Sequence, residues 1–291
     1  MDTTRDYTYP IIDHVLHPTD FSEGSLTAFH HALKAALIAK ARLTLIHVTD
    51  EKSGEVMDFP GVRAALERWG LLPEGSAHSD IQQLGIEVRK VVAGRRAPIE
   101  AVLKYLEQHP ADLIVLATHQ HEGKAAWLRQ RSAAKPIARR SGQMTLFIPE
   151  GRTGFVSDAD GSVSLKNILI PVAESPGPQP AVEAAARLAH RLNCSSGTFT
   201  LLHVGEAADM PAVQCPELSG WQWKKETRTG AVIHGIVDTA HKTQADLMVM
   251  STDGRNGLLD ALHGTHSERA LHNVPVPLLT VPAGSLAEQN L

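Results

Sequence analysis

Leu45-Ile46-His47-Val48 recurs as Leu201-Leu202-His203-Val204, and Ala111-Asp112-Leu113-Ile114-Val115 recurs as Ala245-Asp246-Leu247-Met248-Val249. Two flanking blocks keep the same order. His14-Val15-Leu16-His17-Pro18 answers to Ile168-Leu169-Ile170-Pro171, and Leu146-Phe147-Ile148-Pro149 to Leu279-Thr280-Val281-Pro282. Four blocks in one order identify a tandem duplication, because chance likeness between buried strands would not preserve order. Each block is a short apolar run bounded by polar residues, the pattern of a strand buried on both faces.

Between the blocks the apolar period becomes helical. Leu26, Phe29, His30, Leu33 and Leu37 share one face, as do Val182, Ala185, Leu188, Ala189 and Leu192 in the second unit. Pro180 falls in that second helix's first turn, where a missing N–H does no harm. Ile99, Val102, Leu103 and Leu106 repeat as Ile233, Ile236, Val237 and Ala240. Alternating strands and helices predict an α/β fold with a doubly wound parallel sheet in each unit.

His47 and His203 lie 156 positions apart, whereas Asp112 and Asp246 lie 134 apart, so the second unit is 22 residues shorter in between. In the first unit that stretch holds Val62–Trp69, which reads as a helix, and the second unit is expected to have lost much of it. Residues 150–164 carry Gly151, Gly154 and Gly161 among serines and aspartates, a linker composition. The expected organisation is one domain over 1–149, a linker over 150–164 and a second domain over 165–291.

The whole chain has 291 residues, a size that suits two domains. Its net charge of −4 argues against a general nucleic-acid binder, and its 43% apolar content excludes global disorder. Aromatics make up only 4%, so the cores must be aliphatic. Two cysteines, Cys194 and Cys215, exclude a disulfide framework and point to a reducing compartment. Apolar runs such as Leu113–Ala117 fall far short of the roughly 20 residues that span a bilayer, and Met1–Pro10 holds no apolar signal segment. A cytoplasmic protein with neither membrane nor nucleic acid as partner is expected.

Doubly wound sheets bind ligands outside the carboxyl ends of their strands, where the strand order reverses. After Leu247–Met250 the sequence runs Ser251-Thr252-Asp253-Gly254-Arg255-Asn256-Gly257 and then reaches Gly264-Thr265. Thr265 and Glu268 have capping-box spacing, which predicts a helix beginning at Thr265. Glycines let backbone N–H groups approach a ligand, and a helix N-terminus attracts anions. The arrangement reads as a phosphate cradle or as an ordinary glycine turn.

Two stretches resemble the universal stress protein family. His17-Pro18-Thr19-Asp20-Phe21-Ser22-Glu23-Gly24-Ser25 is similar to the family's first strand-to-helix turn. Ser251-x2-Gly254-x9-Gly264-Thr265 is similar to its nucleotide motif, Gly-x2-Gly-x9-Gly-Ser/Thr. The resemblance covers both halves of the chain. It implies two tandem doubly wound five-stranded parallel-sheet domains, Rossmann-like and adenine nucleotide alpha hydrolase-like, with their last strands paired. It also implies binding of ATP or another adenine nucleotide, with magnesium an optional companion, wherever the glycine motif is intact. Carried over residue by residue, the nucleotide belongs at Pro171, Val172, Val204, Ser251, Gly254, Arg255, Gly257, Gly264, Thr265, His266 and Ser267. Arg255 is either a phosphate partner or a solvated arginine. The first unit departs from the motif, reading Ala117, Gln120, Gln130 and Arg131, so its cradle is expected to be lost. The second unit has Ala173 at the position of Asp20, which the family places beside adenine and ribose.

His119 and His121 follow the first unit's fourth strand, while His17 and Asp20 close its first. Imidazoles with a carboxylate are ordinary zinc ligands, so the four are either a metal site or solvated loop groups. His47 and His203 occupy equivalent strand ends and read as fold features. Six basic residues and no acidic one lie between Lys124 and Arg140, either a solvated helix face or a patch for an anionic ligand.

The chain shows no nucleophile elbow, P-loop lysine or carboxylate pair with an evident role. Asp253 alone is placed to orient a metal-bound triphosphate. The expected function is a nucleotide-dependent sensor or regulator acting on an unidentified protein partner, with at most slow hydrolysis. The alternatives are a slow ATPase and a scaffold that binds no nucleotide. Thr145–Ile148 and Leu278–Val281 are expected to pair within one chain, giving a pseudo-dimeric monomer or a unit that dimerises further.

Overall fold

A computed structural model describes residues 12–49, 59–94, 97–118, 134–152, 154–252 and 276–284. The first half runs β1 (His14–Pro18), α1 (Glu23–Ala39), β2 (Arg42–Thr49), α2 (Val62–Arg68), α3 (His78–Gln83), β3 (Glu87–Gly94), α4 (Pro98–Gln108), β4 (Leu113–Thr118), α5 (Ala134–Ser141) and β5 (Met144–Pro149). The second runs β6 (Asn167–Pro171), α6 (Gln179–Arg191), β7 (Gly197–Val204), β8 (Trp221–Arg228), α7 (Val232–Lys242), β9 (Leu247–Thr252) and β10 (Leu278–Pro282).

The strands form one sheet in the order β3-β2-β1-β4-β5-β10-β9-β6-β7-β8. Each half is parallel throughout, and the halves join by the antiparallel pair β5–β10, in register Leu278↔Phe147, Leu279↔Leu146 and Thr280↔Thr145. Thr280 Oγ1 also donates to Thr145 O across this seam (3.2 Å). The last strands thus cover each other's edges within one chain, as expected. The strand order reverses between β1 and β4 and again between β6 and β9, which sets a crevice in each half.

Alternate strand residues divide the core by sheet face. Val15, Leu43, Leu45, Val115, Ile168, Phe199, Leu201 and Val249 belong to one core that runs through both halves with α1, α2 and α6. On the opposite face Leu16, Ile46 and Ile114 pack with α4, while Leu169, Leu202 and Met248 pack with α7 in a separate core. The repeated aspartate braces the base of each half. Asp112 Oδ2 accepts from Asp13 N and His14 N, and Asp246 Oδ2 from Lys166 N and Asn167 N, all at 2.8–2.9 Å.

The missing helix is accounted for. Between β7 and β8 the only described helical residues are a single 3-10 turn, Ala207–Asp209. The bare sheet face is covered by Trp221 and Trp223, stacked on Phe199 with ring centroids 4.4 and 4.2 Å apart. Their indole N–H groups donate to Cys194 O and Pro216 O. One expectation for α1 is corrected. Leu26 is 41% exposed rather than buried. It is the fourth residue of α1, and with Phe21 just before the cap Ser22 it occupies the positions of a hydrophobic staple, which share the helical period without facing the core. The stretch read as a linker joins the halves but is not loose, since Phe155 and Val156 are buried in the shared core. Among the described residues no helix is long and apolar enough to cross a membrane.

Candidate functional site

The two crevices have the same walls and different contents. After β1 the chain turns through Thr19, Asp20 and Phe21, and after β6 through Val172, Ala173 and Glu174. Thr19 N donates to Ile46 O (2.9 Å), and Val172 N to Leu202 O (2.8 Å). The histidine of the second strand closes each turn. His47 Nδ1 donates to Thr19 O (2.8 Å) and His203 Nδ1 to Val172 O (3.2 Å). Both are fold features, as their equivalent positions implied.

At the first-half crevice the turn carries an aromatic ring and two carboxylates of its own. Phe21, at φ +65°, stacks on the His47 ring with centroids 4.1 Å apart and meets Phe59 edge-on at 5.4 Å. Hydroxyls and a carboxylate hold this turn. Ser25 Oγ donates to Thr19 Oγ1, Phe21 N donates to the same oxygen, and Asp20 Oδ1 accepts from both Ser22 N and Ser22 Oγ. Glu150, the residue after β5, lays its side chain over the start of α1, where a Cβ on Gly24 would come within 2.8 Å of Glu150 Cγ. A carboxylate therefore already sits at a helix end that favours negative charge.

The second half lacks each of these fillers. The counterpart of Asp20 is Ala173 and that of Phe21 is Glu174. The counterpart of Glu150 is Ala283, since Glu150 N donates to Thr118 O and Ala283 N to Thr252 O in the same way. Among the described residues no aromatic ring stacks on His203. With its Nδ1 proton given to Val172 O, the buried His203 Nε2 is a lone pair without a partner there. A buried acceptor left so costs about 1–3 kcal/mol unless a donor reaches it.

Pro171, Val172, Val204 and Ser251 come together around this crevice, at the ends of β6, β7 and β9. Gly254, Arg255, Gly257, Gly264, Thr265, His266 and Ser267 lie outside the described residues, as does the helix expected from Thr265. Ser251, standing where the motif has its first glycine, has a task of its own. Its Oγ accepts from Ala181 N (3.2 Å) and so caps α6, which has no cap from Pro178. The α6 N-terminus is thereby partly satisfied by protein.

The zinc expectation finds no support in its two described members. His17 is fully buried and turned inward, with Nδ1 donating to Val115 O (2.9 Å) and Nε2 3.5 Å from Ser25 Oγ. Burial pushes its imidazole down to about 4. Asp20 is engaged with Ser22, while His119 and His121 lie outside the described residues. Among the described residues no three His, Cys, Asp or Glu side chains are grouped to hold a metal ion. Of the basic run, Arg140 forks onto Glu100 of α4 (2.5 and 3.3 Å), an ion pair on the surface. Glu150, Ala283 and the lone pair of His203 were not singled out from sequence. The only signal for the first two was that Pro149-Glu150 aligns with Pro282-Ala283.

Comparison with known proteins agrees with this architecture. A universal stress protein from Archaeoglobus fulgidus DSM 4304 is similar over 93% of this chain and 96% of its own, at 16% identity and a TM-score of 0.57. A putative universal stress protein from Pseudomonas aeruginosa UCBPP-PA14 is similar over 96% of this chain and 97% of its own, at 14% identity and a TM-score of 0.58. At these identities the likeness is one of fold. No curated protein sequence matches the chain. The profile of the Universal stress protein family matches residues 12–149 and 216–282, more than half of the chain and parts of both halves. The chain belongs to the universal stress protein family.

Proposed function

We propose that this protein is a nucleotide-responsive stress protein whose second half takes ATP or another adenine nucleotide at the crevice between β6 and β9, while its first half takes none. One contrast carries the reading. The first-half crevice holds the ring of Phe21 and the carboxylates of Asp20 and Glu150, and the second half has Glu174, Ala173 and Ala283 at those places. With Glu174 standing where Phe21 does, the second crevice carries one carboxylate fewer than the first, which favours an anionic ligand. The glycines of the Ser251–Thr265 stretch support the same half. Pro171, Val172 and Val204 would line the base, while Gly254, Arg255, Gly257, Gly264, Thr265, His266 and Ser267 would supply the phosphate side. Nucleotide occupancy would act through the choice of protein partner rather than through rapid turnover.

The test is calorimetry with ATP, AMP and GTP at matched magnesium. One equivalent of adenine nucleotide is expected. Gly264→Asp abolishes it, Ala283→Glu weakens it tenfold or more by restoring the carboxylate of the first half, and Gln130→Asp leaves it unchanged. Two equivalents, or indifference to both second-half substitutions, defeats the assignment. No binding of any nucleotide leaves the scaffold reading in its place.

A further inference from the structure

The segment between the halves is fastened by histidines whose hydrogen bonds define their protonation state. His31 on α1 donates from Nδ1 to Thr27 O (2.9 Å), so its Nε2 carries a lone pair. That lone pair accepts from Phe155 N (3.1 Å) and from Val156 N (3.2 Å), and the Phe155 ring meets the imidazole edge-on at 4.6 Å. Next to it, His30 Nε2 accepts from Arg68 Nη2 (3.0 Å). Arg68 Nε and Trp69 Nε1 both donate to Asp158 O, at 2.7 and 3.0 Å. The segment folds back on itself through a Val156–Val163 bridge and a Gly161 N to Ser157 O bond. Gly161, at φ +67°, lies against Trp69, where a Cβ would come within 2.5 Å of Cδ2.

We infer that residues 154–164 form an acid-released strap, latched onto α1 and α2 by the neutral imidazoles of His31 and His30. Protonating His31 places an N–H where two backbone N–H groups already point, so both bonds are lost and a cation faces two donors. Protonating His30 sets a second cation against Arg68. The charged groups around the latch are His30 and Lys34 on α1, Arg68 on α2, and Asp158 and Asp160 on the strap. Asp158 pulls His30 toward protonation and Arg68 pushes against it, while Asp160 acts on Lys34. Asp160 is exposed and accepts from Ser162 N (3.0 Å), which turns its carboxylate to the strap's own backbone. Burial pushes both imidazoles down to about 4, so proton uptake and release of the strap are linked. Opening uncovers Phe155 and Val156 and loosens the joint between the halves. The latch is remote from the nucleotide reading and does not rest on it.

Hydrogen exchange of the full chain between pH 7.5 and 4, corrected for intrinsic rates, tests this. With imidazoles near 6.5 in the opened state and near 4 in the latched one, His30 and His31 should each raise strap opening on the order of 100-fold over that range. Peptides from β6–β9 should stay protected. His31→Gln offers an acceptor near the Nε2 position without a titratable group and should remove its own share of the rise, leaving that of His30. Constant strap protection overturns the latch. So does an equal rise in His31→Gln, or a rise shared by the β6–β9 peptides. Should His31→Gln fail to fold, the ring of His31 is titrated by NMR in the natural chain. A midpoint near 4 that coincides with strap opening supports the latch, and one near 6.5 overturns it.

Discussion

Beneath α2 and α3 the first half buries Leu43 of β2, and 156 positions later the second half buries Phe199 of β7 beneath two tryptophans. The strands, their order and the aspartate braces are the same on both sides of the seam, whereas the coverings differ. The same division appears at the strand ends. One crevice has a stacked ring and two carboxylates, and among the described residues the other has Glu174, Ala173 and Ala283 in their places. A duplicated sheet of this kind tolerates replacement of whole helices on its faces, because Asp112 and Asp246 fix the strand bases from below. Binding is then decided by a few residues just past the strands.

Acid should separate the halves most strongly. Among the described residues the imidazoles lowered by burial, His14, His17, His30 and His31, all lie in the first half. Unfolded, a histidine takes its proton near 6.5, whereas His17 and His31 in the fold take it near 4. Below pH 6.5 the unfolded chain therefore binds protons that the native chain refuses. Stability falls steadily until about pH 4 and then levels, by about 3 kcal/mol for each of these two groups. Urea unfolding at pH 7 and pH 4.5, followed by hydrogen exchange in β1–β2 and β6–β7, should show the first half giving way first. A second half that fails first, or an unchanged midpoint, breaks the contrast.

The coverings give a smaller difference of opposite sign. Phe199→Ala removes the platform under both indoles and should cost about 3–5 kcal/mol. Its register counterpart, Leu43→Ala, should cost about 2–4 kcal/mol, since it empties a smaller volume. Thermal or denaturant unfolding of the two variants ranks them. An equal or reversed ranking would mean that the tryptophan stack is not what seals the second half.

Most of the frame was legible because it rests on local pattern and on repetition. Four recurring blocks located eight strands, and an offset of 22 residues exposed the missing helix. What escaped depends on contacts between distant residues. Glycines, serines and aspartates over 150–164 have the composition of a loose linker and equally that of a tight strap. Contacts with His31, Arg68 and Trp69, more than 80 residues away, distinguish the two. Ser251 reads as a degraded glycine, yet its hydroxyl caps a helix that starts 72 residues earlier. His17 reads as a ligand because a histidine beside an aspartate at a strand end is what a metal site would use. Its inward turn toward Val115 O is a matter of packing that spacing does not reveal.

Phe21 offers the finest test of why the first crevice is closed. Its backbone sits at φ +65°, a region that costs an ordinary L-residue about 1–2 kcal/mol and glycine almost nothing. Its ring repays this by stacking on His47 and by meeting Phe59. Phe21→Ala keeps the strained backbone and loses the ring, so it should destabilise by about 1 kcal/mol. Phe21→Gly loses the same ring but relieves the backbone, and should come out nearer to the natural chain than alanine does. Neither should add a second equivalent of nucleotide in calorimetry, because Asp20 and Glu150 still keep negative charge around that turn. If Phe21→Gly does add one, the aromatic plug alone kept the ligand out and the carboxylates are incidental. If binding appears only when Glu150→Ala is combined with it, charge and shape share the exclusion, and the two halves differ by a handful of side chains rather than by fold.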